Sequence, residues 1–536
     1  MIIKHCGWLI WTPILIAWFF DFLFWKKAPG ISFPILVIVT LVAGGFLAIR
    51  EGIRPAKLSW LLVIPALFFS IMTIFREEPF TTFINYMLTV VSLTILAFTY
   101  TGGRWWNYAI SDYVLSFFRF LLSLFTKPAG LLTRKGKLTD VTEESNPSEI
   151  PSKNRSTEWA ILRGILLTLP VILLLSALLA AADPIFNESF KNLLSLFRIE
   201  SLGEYLFRGF YILILAYLLA GAYLHAIHSS SDVKLIGVDT PGMPRFLGWI
   251  EGIIMLLGID LLFAIFVGIQ FKYFFGGQAN IHLDGFTYAE YARRGFGELV
   301  AVAAITLLIM QVLNSVTKKE AGKESGSFTA LSVVMVLLVT VILVSAFQRL
   351  QLYESAYGFS RLRTYTHIFI VWIGILLVIA AVLAIAGRSR LFALAFFLAC
   401  FGFGVNLNVV NVDGLIARLN IRQAEAEVDL DIPYLMSLSE DAIPELRDQF
   451  FNPHIPQSKR NIVGGVLACK SSMRSTADKT SDLPWQSYTW SREQGNRILA
   501  ELEPELAKYE ILDVESTGGL IKLNDEIIHC YDYGWD

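Results

Sequence analysis

Apolar runs of about twenty residues recur along this chain, separated by short polar connections, and a run of that length crosses bilayer hydrocarbon as a single helix. The pattern predicts spans over 7–25, 31–49, 58–75, 80–100, 159–181, 206–226, 247–270, 298–316, 328–348, 367–386 and 391–409. One segment departs from it. In Asn107–Phe125, Asp112 and Arg119 interrupt leucines and aromatics, which predicts an amphipathic helix lying in the membrane interface. Residues 127–157 carry Lys, Glu, Ser, Asn and Pro with almost no apolar content after Leu138, so they read as a flexible cytoplasmic linker. The linker separates a four-span block with its interfacial helix, 1–126, from a seven-span core, 158–410.

Beyond Val409 the pattern changes to that of a small soluble domain, 411–536. Ser437 with Glu440, and Ser491 with Gln494, have capping-box spacing and predict two helix starts. Pro453, Pro456 and Gly464-Gly465 predict an irregular stretch between them. Tyr509–Ser516, Leu520–Leu523 and Glu526–Tyr531 read as short strands separated by turns. The expected fold is an all-α polytopic membrane protein of about 11 transmembrane helices, with a small C-terminal α+β soluble domain.

Composition agrees with the membrane class: of 536 residues, 55% are hydrophobic and only 17% charged, a balance rare in soluble chains. The net charge of −2, without a dense basic run, argues against a nucleic-acid partner. Charge also sets orientation. With the amino terminus inside, 19 lysines and arginines fall on inner connections and 12 on outer ones, which places the amino terminus in the cytoplasm and the tail outside. Lys4 precedes the first run and no small-residue cleavage site follows it, so that run reads as a retained span. Membrane lipids and another envelope protein are the expected partners.

Candidate chemistry gathers around the repeated motif Glu-Tyr-x-x-Arg-Gly-Phe, found at Glu204–Phe210 and Glu290–Phe296, each opening an apolar span. Glu290 with Arg294, Arg294 with Glu298, and Glu204 with Arg208 stand four apart, the spacing of helical ion pairs. Arg349, Tyr353, Tyr357, Arg361 and Tyr365 recur every four residues and predict one polar helical stripe, with His367 close by. Asp260 sits near mid-span, where an ionised carboxylate must be paired, wetted or protonated. The candidate polar pocket is therefore Glu290, Arg294, Glu298, Tyr353, Tyr357, Arg361 and Asp260. Asp21, near a span end, reads as unimportant. Cys469 and Cys530 lie together in the tail and are the pair that an oxidising compartment would bridge. No zinc spacing, Walker loop, dinucleotide motif or nucleophile elbow occurs, so no metal, cofactor or catalytic residue is assigned.

The runs Phe286–Phe296, Arg349–Arg363 and Asn411–Asn420 resemble the signature segments of a bacterial polytopic family known only as a domain of unknown function, a similarity covering about Glu158 to Ala442. The resemblance implies a membrane setting and bacterial origin and carries no activity. The leading expectation is envelope sensing, assembly or scaffolding through an extracytoplasmic tail, without covalent chemistry. A secondary transporter or channel using Asp260 and the Glu/Arg/Tyr helices is the alternative, and a lipid- or glycan-modifying membrane enzyme stands third.

Overall fold

The structure is a computed structural model and describes residues 6–141, 202–231, 245–275, 295–318, 322–424, 430–478 and 483–509, with short stretches of 168–186 and 511–530. The first helices are α1 (Cys6–Phe24), α2 (Ser32–Glu51), α3 (Val63–Phe75, entered through a 3-10 turn), α4 (Pro79–Thr99) and α5 (Ile110–Val141). After them come α6 (Leu202–His228), α7 (Trp249–Phe275), α8 (Phe296–Val316), α9 (Lys323–Tyr357), α10 (Arg361–Ile385) and α11 (Phe392–Val410). Among the described residues nine helices are long and apolar enough to cross a membrane, and Ser59–Phe75 is a shorter apolar helix. Each expected span falls on one of these except 159–181, which lies largely outside the described residues. The membrane part is all-α and polytopic.

By internal contacts the chain forms two units, one holding 6–21 with 123–221 and the other 22–122 with 222–536. In the larger unit α4 packs on α3 and α11, α11 on α10, α10 on α9, and α9 on both α7 and α8. The seam along α7–α11 is apolar, with Leu256, Ala303, Met335, Val339, Ala346, Leu350 and Leu377 fully enclosed. Consecutive turns of each helix present such residues to a neighbour at helical spacing.

Local chemistry sets the helix ends. Glu78 caps α4: its carboxylate accepts from Phe80 N at 3.0 Å and Thr81 N at 2.7 Å, and Pro79 takes the first position, where no N–H is needed. Gly358 closes α9 with φ 75°, and a Cβ there would stand 3.0 Å from Asn420 Oδ1, so both conformation and space require glycine. The chain then turns through Ser360 into α10. The stripe expected as one helix is thus divided between α9 and α10, because the left-handed glycine reverses the chain between Tyr357 and Arg361.

The tail continues as α12 (Val412–Ala424), α13 (Ile432–Ser437), α14 (Ile443–Phe450), α15 (Gln457–Asp478) and α16 (Trp490–Leu506). Three strands, β1 (Ile511–Leu512), β2 (Leu520–Leu523) and β3 (Glu526–His529), pair as an antiparallel meander. A separate α+β domain is not supported. Ile416, Ile421, Leu446, Leu467 and Leu499 share one apolar cluster with Leu407 of α11, and Phe80, Tyr365, Ile368 and Phe403 of the membrane helices, with Phe359 of the α9–α10 turn, pack against it. Each such buried aliphatic or aromatic side chain is worth about 1.5–3 kcal/mol, so the tail helices are held to one end of the bundle by core packing.

Several local expectations are corrected. Within Asn107–Phe125 the helix starts only at Ile110, after a 3-10 turn that ends at Asn107, and it runs on through 127–141, the first part of the expected linker; 142–157 lie outside the described residues. Ser437 ends α13 and its hydroxyl donates to Tyr434 O, whereas the next turn begins after Ser439. Ser491 lies inside α16, whose cap position is Thr489. The stretch expected to be irregular contains α15, since Pro456 immediately precedes the helix and Gly464 makes room for the Tyr509 hydroxyl. Cys469 and Cys530 are joined by a disulfide with Cα atoms 5.4 Å apart.

Candidate functional site

The start of α4, the end of α9, the start of α10 and the end of α11 meet the tail at one end of the bundle, and here the described polar side chains are most densely connected. Two carboxylates organise the junction. Asp413, in the first turn of α12, has a fully buried side chain and accepts Arg361 Nε at 2.8 Å and Nη2 at 2.6 Å, a bidentate pair that Ser439 N joins at 2.6 Å. Arg361 Nη2 also donates to Ser437 O at 3.0 Å, and its backbone N–H donates to the Tyr434 hydroxyl at 2.7 Å. Removing one partner would strand a buried charge, a loss of about 3–5 kcal/mol.

Asp441 forms the second centre. Its Oδ2 accepts from Glu77 N at 3.0 Å and Glu78 N at 3.1 Å, and its Oδ1 accepts from the Ser491 hydroxyl. Burial pushes this carboxyl up to about 6, against the opposing pull of Ser491, Arg76 and the two backbone donors. Burial likewise lowers the Arg76 pKa, which Asp441 offsets, while Arg76 Nε and Nη2 donate to Asn408 O. Asn408 and Asn85 exchange side-chain hydrogen bonds at 2.7 and 3.0 Å, and Asn411, with φ 49°, donates to Asp441 O at 2.9 Å. The Tyr365 hydroxyl donates to Glu78. One network thus ties the start of α4, α10, α11, α12, the turn before α14 and α16 together.

Beside it lies a groove of about 900 Å³, walled by apolar residues such as Phe347, Ile368 and Leu419 and carrying Arg422 and Gln423. Glu354 and His367 face each other across it, with Oε1 to Nδ1 at 3.1 Å, and the Phe347 ring meets the imidazole edge to face. His367 Nε2 is buried without a hydrogen-bond partner among the described residues. The pair can orient an imidazole and accept or donate a hydrogen bond, and among the described residues no hydroxyl or thiol is hydrogen-bonded to Nε2 as a nucleophile would be.

The expected pocket residues are placed as follows. Glu290 and Arg294 lie outside the described residues. Glu298 is exposed in the first turn of α8. Tyr353 and Tyr357 come together, rings 5.1 Å apart, with Phe296 6.1 Å from Tyr353 and the Arg363 guanidinium 4.0 Å from the Tyr353 centroid. Arg361 is taken by Asp413. Asp260 stands on α7, 6% exposed, and neither carboxylate oxygen has a hydrogen-bond partner among the described residues. In the smaller unit Arg208 pairs through Nε and Nη2 with Asp21, which also accepts from the Tyr211 hydroxyl. Asp21 offers two oxygens to the guanidinium fork from a neighbouring helix, and Glu204, four residues before Arg208, adds to the negative field at it.

Asp413, Asp441 and Glu78 went unassigned from sequence. The Asn411-Val-Asp-Gly run pointed to the first. Glu78 beside Pro79 had the composition of a helix start, and nothing local distinguishes Asp441 from a solvated helix-start acid.

The family described as "Domain of unknown function (DUF4153)" matches residues 63–449. The match takes in α3 through nearly all of α14, beginning earlier than the resemblance carried by the motifs, and includes Asp413 and Asp441 but not Ser491. No curated protein and no solved structure matches the chain.

Proposed function

The chain belongs to the DUF4153 family, whose description assigns no activity, and from that premise we infer that it is a sensing, assembly or scaffolding protein of a bacterial inner membrane, acting through an external cap formed by its tail. The observation that carries this reading is the shared core and carboxylate network at the tail end of the bundle, which couples the position of α12–α16 to that of α4, α10 and α11. A cap fixed in this way presents one constant surface, or passes a shift of the spans to that surface. The Cys469–Cys530 disulfide supports an external cap, since such bonds persist in oxidising compartments. The amino terminus is then cytoplasmic.

The second reading is a secondary transporter or channel, favoured by Asp260, a carboxylate enclosed in a membrane-spanning helix without a hydrogen-bond partner among the described residues. Vesicles reconstituted with the full chain and carrying an internal pH-sensitive dye discriminate the two. The cap reading expects proton and potassium leak equal to that of empty vesicles. A proton flux abolished by Asp260→Asn would replace it with the transport reading.

A further inference from the structure

At the opposite end of the bundle, where α8 ends, α9 begins and α10 turns into α11, lies a cavity of about 750 Å³ that the cap reading does not use. Two polar stripes face into it. Gln311, Asn314 and Thr317 recur every third residue along the last turns of α8, and Ser325, Thr329 and Ser332 follow helical spacing along the first turns of α9. Apolar Met310, Phe328 and Phe392 form part of the same wall. The charge is of one sign: Arg245, Arg388 and Arg390 line the cavity, and no Asp or Glu among the described residues does.

The arginines come from backbone fixed in place. Leu247 N donates to Val316 O at 3.2 Å and Lys318 N to Leu247 O at 2.8 Å, which clamps the segment bearing Arg245 to the end of α8. Gly387, at φ 65°, and the bond from Arg388 N to Leu383 O at 2.9 Å fix the turn bearing Arg388 and Arg390. Neither the Arg245 nor the Arg388 side chain has an acid partner among the described residues. Thr317, 1% exposed and wedged against Gly252, keeps its hydroxyl without a hydrogen-bond partner among the described residues, in the wall of the cavity. A buried hydroxyl left unmade is costly, and an oxyanion in the cavity would give Thr317 an acceptor and the arginines that line it a charged partner.

We propose that this cavity binds a phosphate-bearing ligand, the phosphodiester headgroup of an anionic phospholipid. Arg245 and Arg388 hold the phosphate oxygens, and the hydroxyl and amide stripes meet the glycerol and headgroup hydroxyls. The guanidinium fork matches phosphate oxygens, and basic pockets between membrane helices take such headgroups. The volume exceeds what a lone phosphate fills and lies in the range of small-molecule sites. The site does not depend on which side of the membrane it faces.

Native mass spectrometry of the full chain in detergent, titrated separately with dioleoylphosphatidylglycerol, dioleoylphosphatidylcholine and inorganic phosphate, tests the site. Phosphatidylglycerol is expected to bind saturably and phosphatidylcholine not, with the Arg245→Gln/Arg388→Gln double variant weakening the lipid at least about tenfold. Saturable binding of inorganic phosphate that the same variant abolishes would keep the phosphate site and assign it a soluble source. Should the double variant fail to fold, Arg388→Gln alone, at an exposed turn, is expected to weaken phosphatidylglycerol several-fold. Equal phosphatidylglycerol binding by wild type and the folded variant, or no binding of either phosphate probe by wild type, overturns the proposal.

Discussion

Asp441 is held by two backbone N–H groups on one oxygen and a hydroxyl on the other, and its carboxyl lies at about 6 rather than the ordinary 3.8. A folded-state pKa above the unfolded one means that the folded protein binds the proton more tightly. Its contribution to stability is therefore greatest below about 3.8 and is lost as pH rises through about 6, a change on the order of 3 kcal/mol. Asparagine can keep every hydrogen bond, since its oxygen accepts from Glu77 N and Glu78 N while its amide donates to Ser491 Oγ. Asp441→Asn is thus expected to fold and to flatten the fall in stability between pH 4 and 6, measured by denaturant unfolding of the purified full chain against wild type. An unchanged slope would mean that other groups carry the pH dependence. Glu445, held below the usual carboxylate range by Arg418 and Gln449 against the effect of burial, slopes the other way and is common to both proteins.

At the scale of elements, the choice of partner for Arg208 shows what spacing alone leaves open. Glu204 stands four residues before it on α6 and adds to the field at it, while the guanidinium forks onto Asp21 of α1, whose side chain is 4% exposed. A pair between helices replaces hydration for a deeply placed acid, whereas a pair along one exposed helix face contributes little. Asp21→Ala is expected to lower the thermal midpoint by several degrees, as much as Arg208→Ala, while Glu204→Ala leaves it within about a degree. Equal losses for Asp21→Ala and Glu204→Ala would return the pairing to α6. The same principle shifted one of the two serine caps: Ser491 gives its hydroxyl to Asp441, so the start of α16 is set by the docking of the tail as well as by local spacing.

For the whole molecule, the proposal of an external cap and a cytoplasmic amino terminus makes a directional prediction. On intact cells a membrane-impermeant maleimide is expected to label a cysteine placed at exposed Ser458 in α15 and to reach one at exposed Ser327 in α9 only after permeabilisation. The reverse pattern would put the cap in the cytoplasm. The sequence by itself determined the membrane class and most span positions, because a run of about twenty apolar residues has no stable alternative in lipid whatever its neighbours are. It also marked Asp260, since a charge inside such a run is conspicuous without a structure. Only the tertiary structure decided that the tail helices share a core with the bundle, that Arg361 serves Asp413, and that Asp441 bridges α4 and α16. Those pairings join residues far apart in the chain, and each is fixed by the need to satisfy a charge once packing has buried it, a condition that exists only after the helices have assembled.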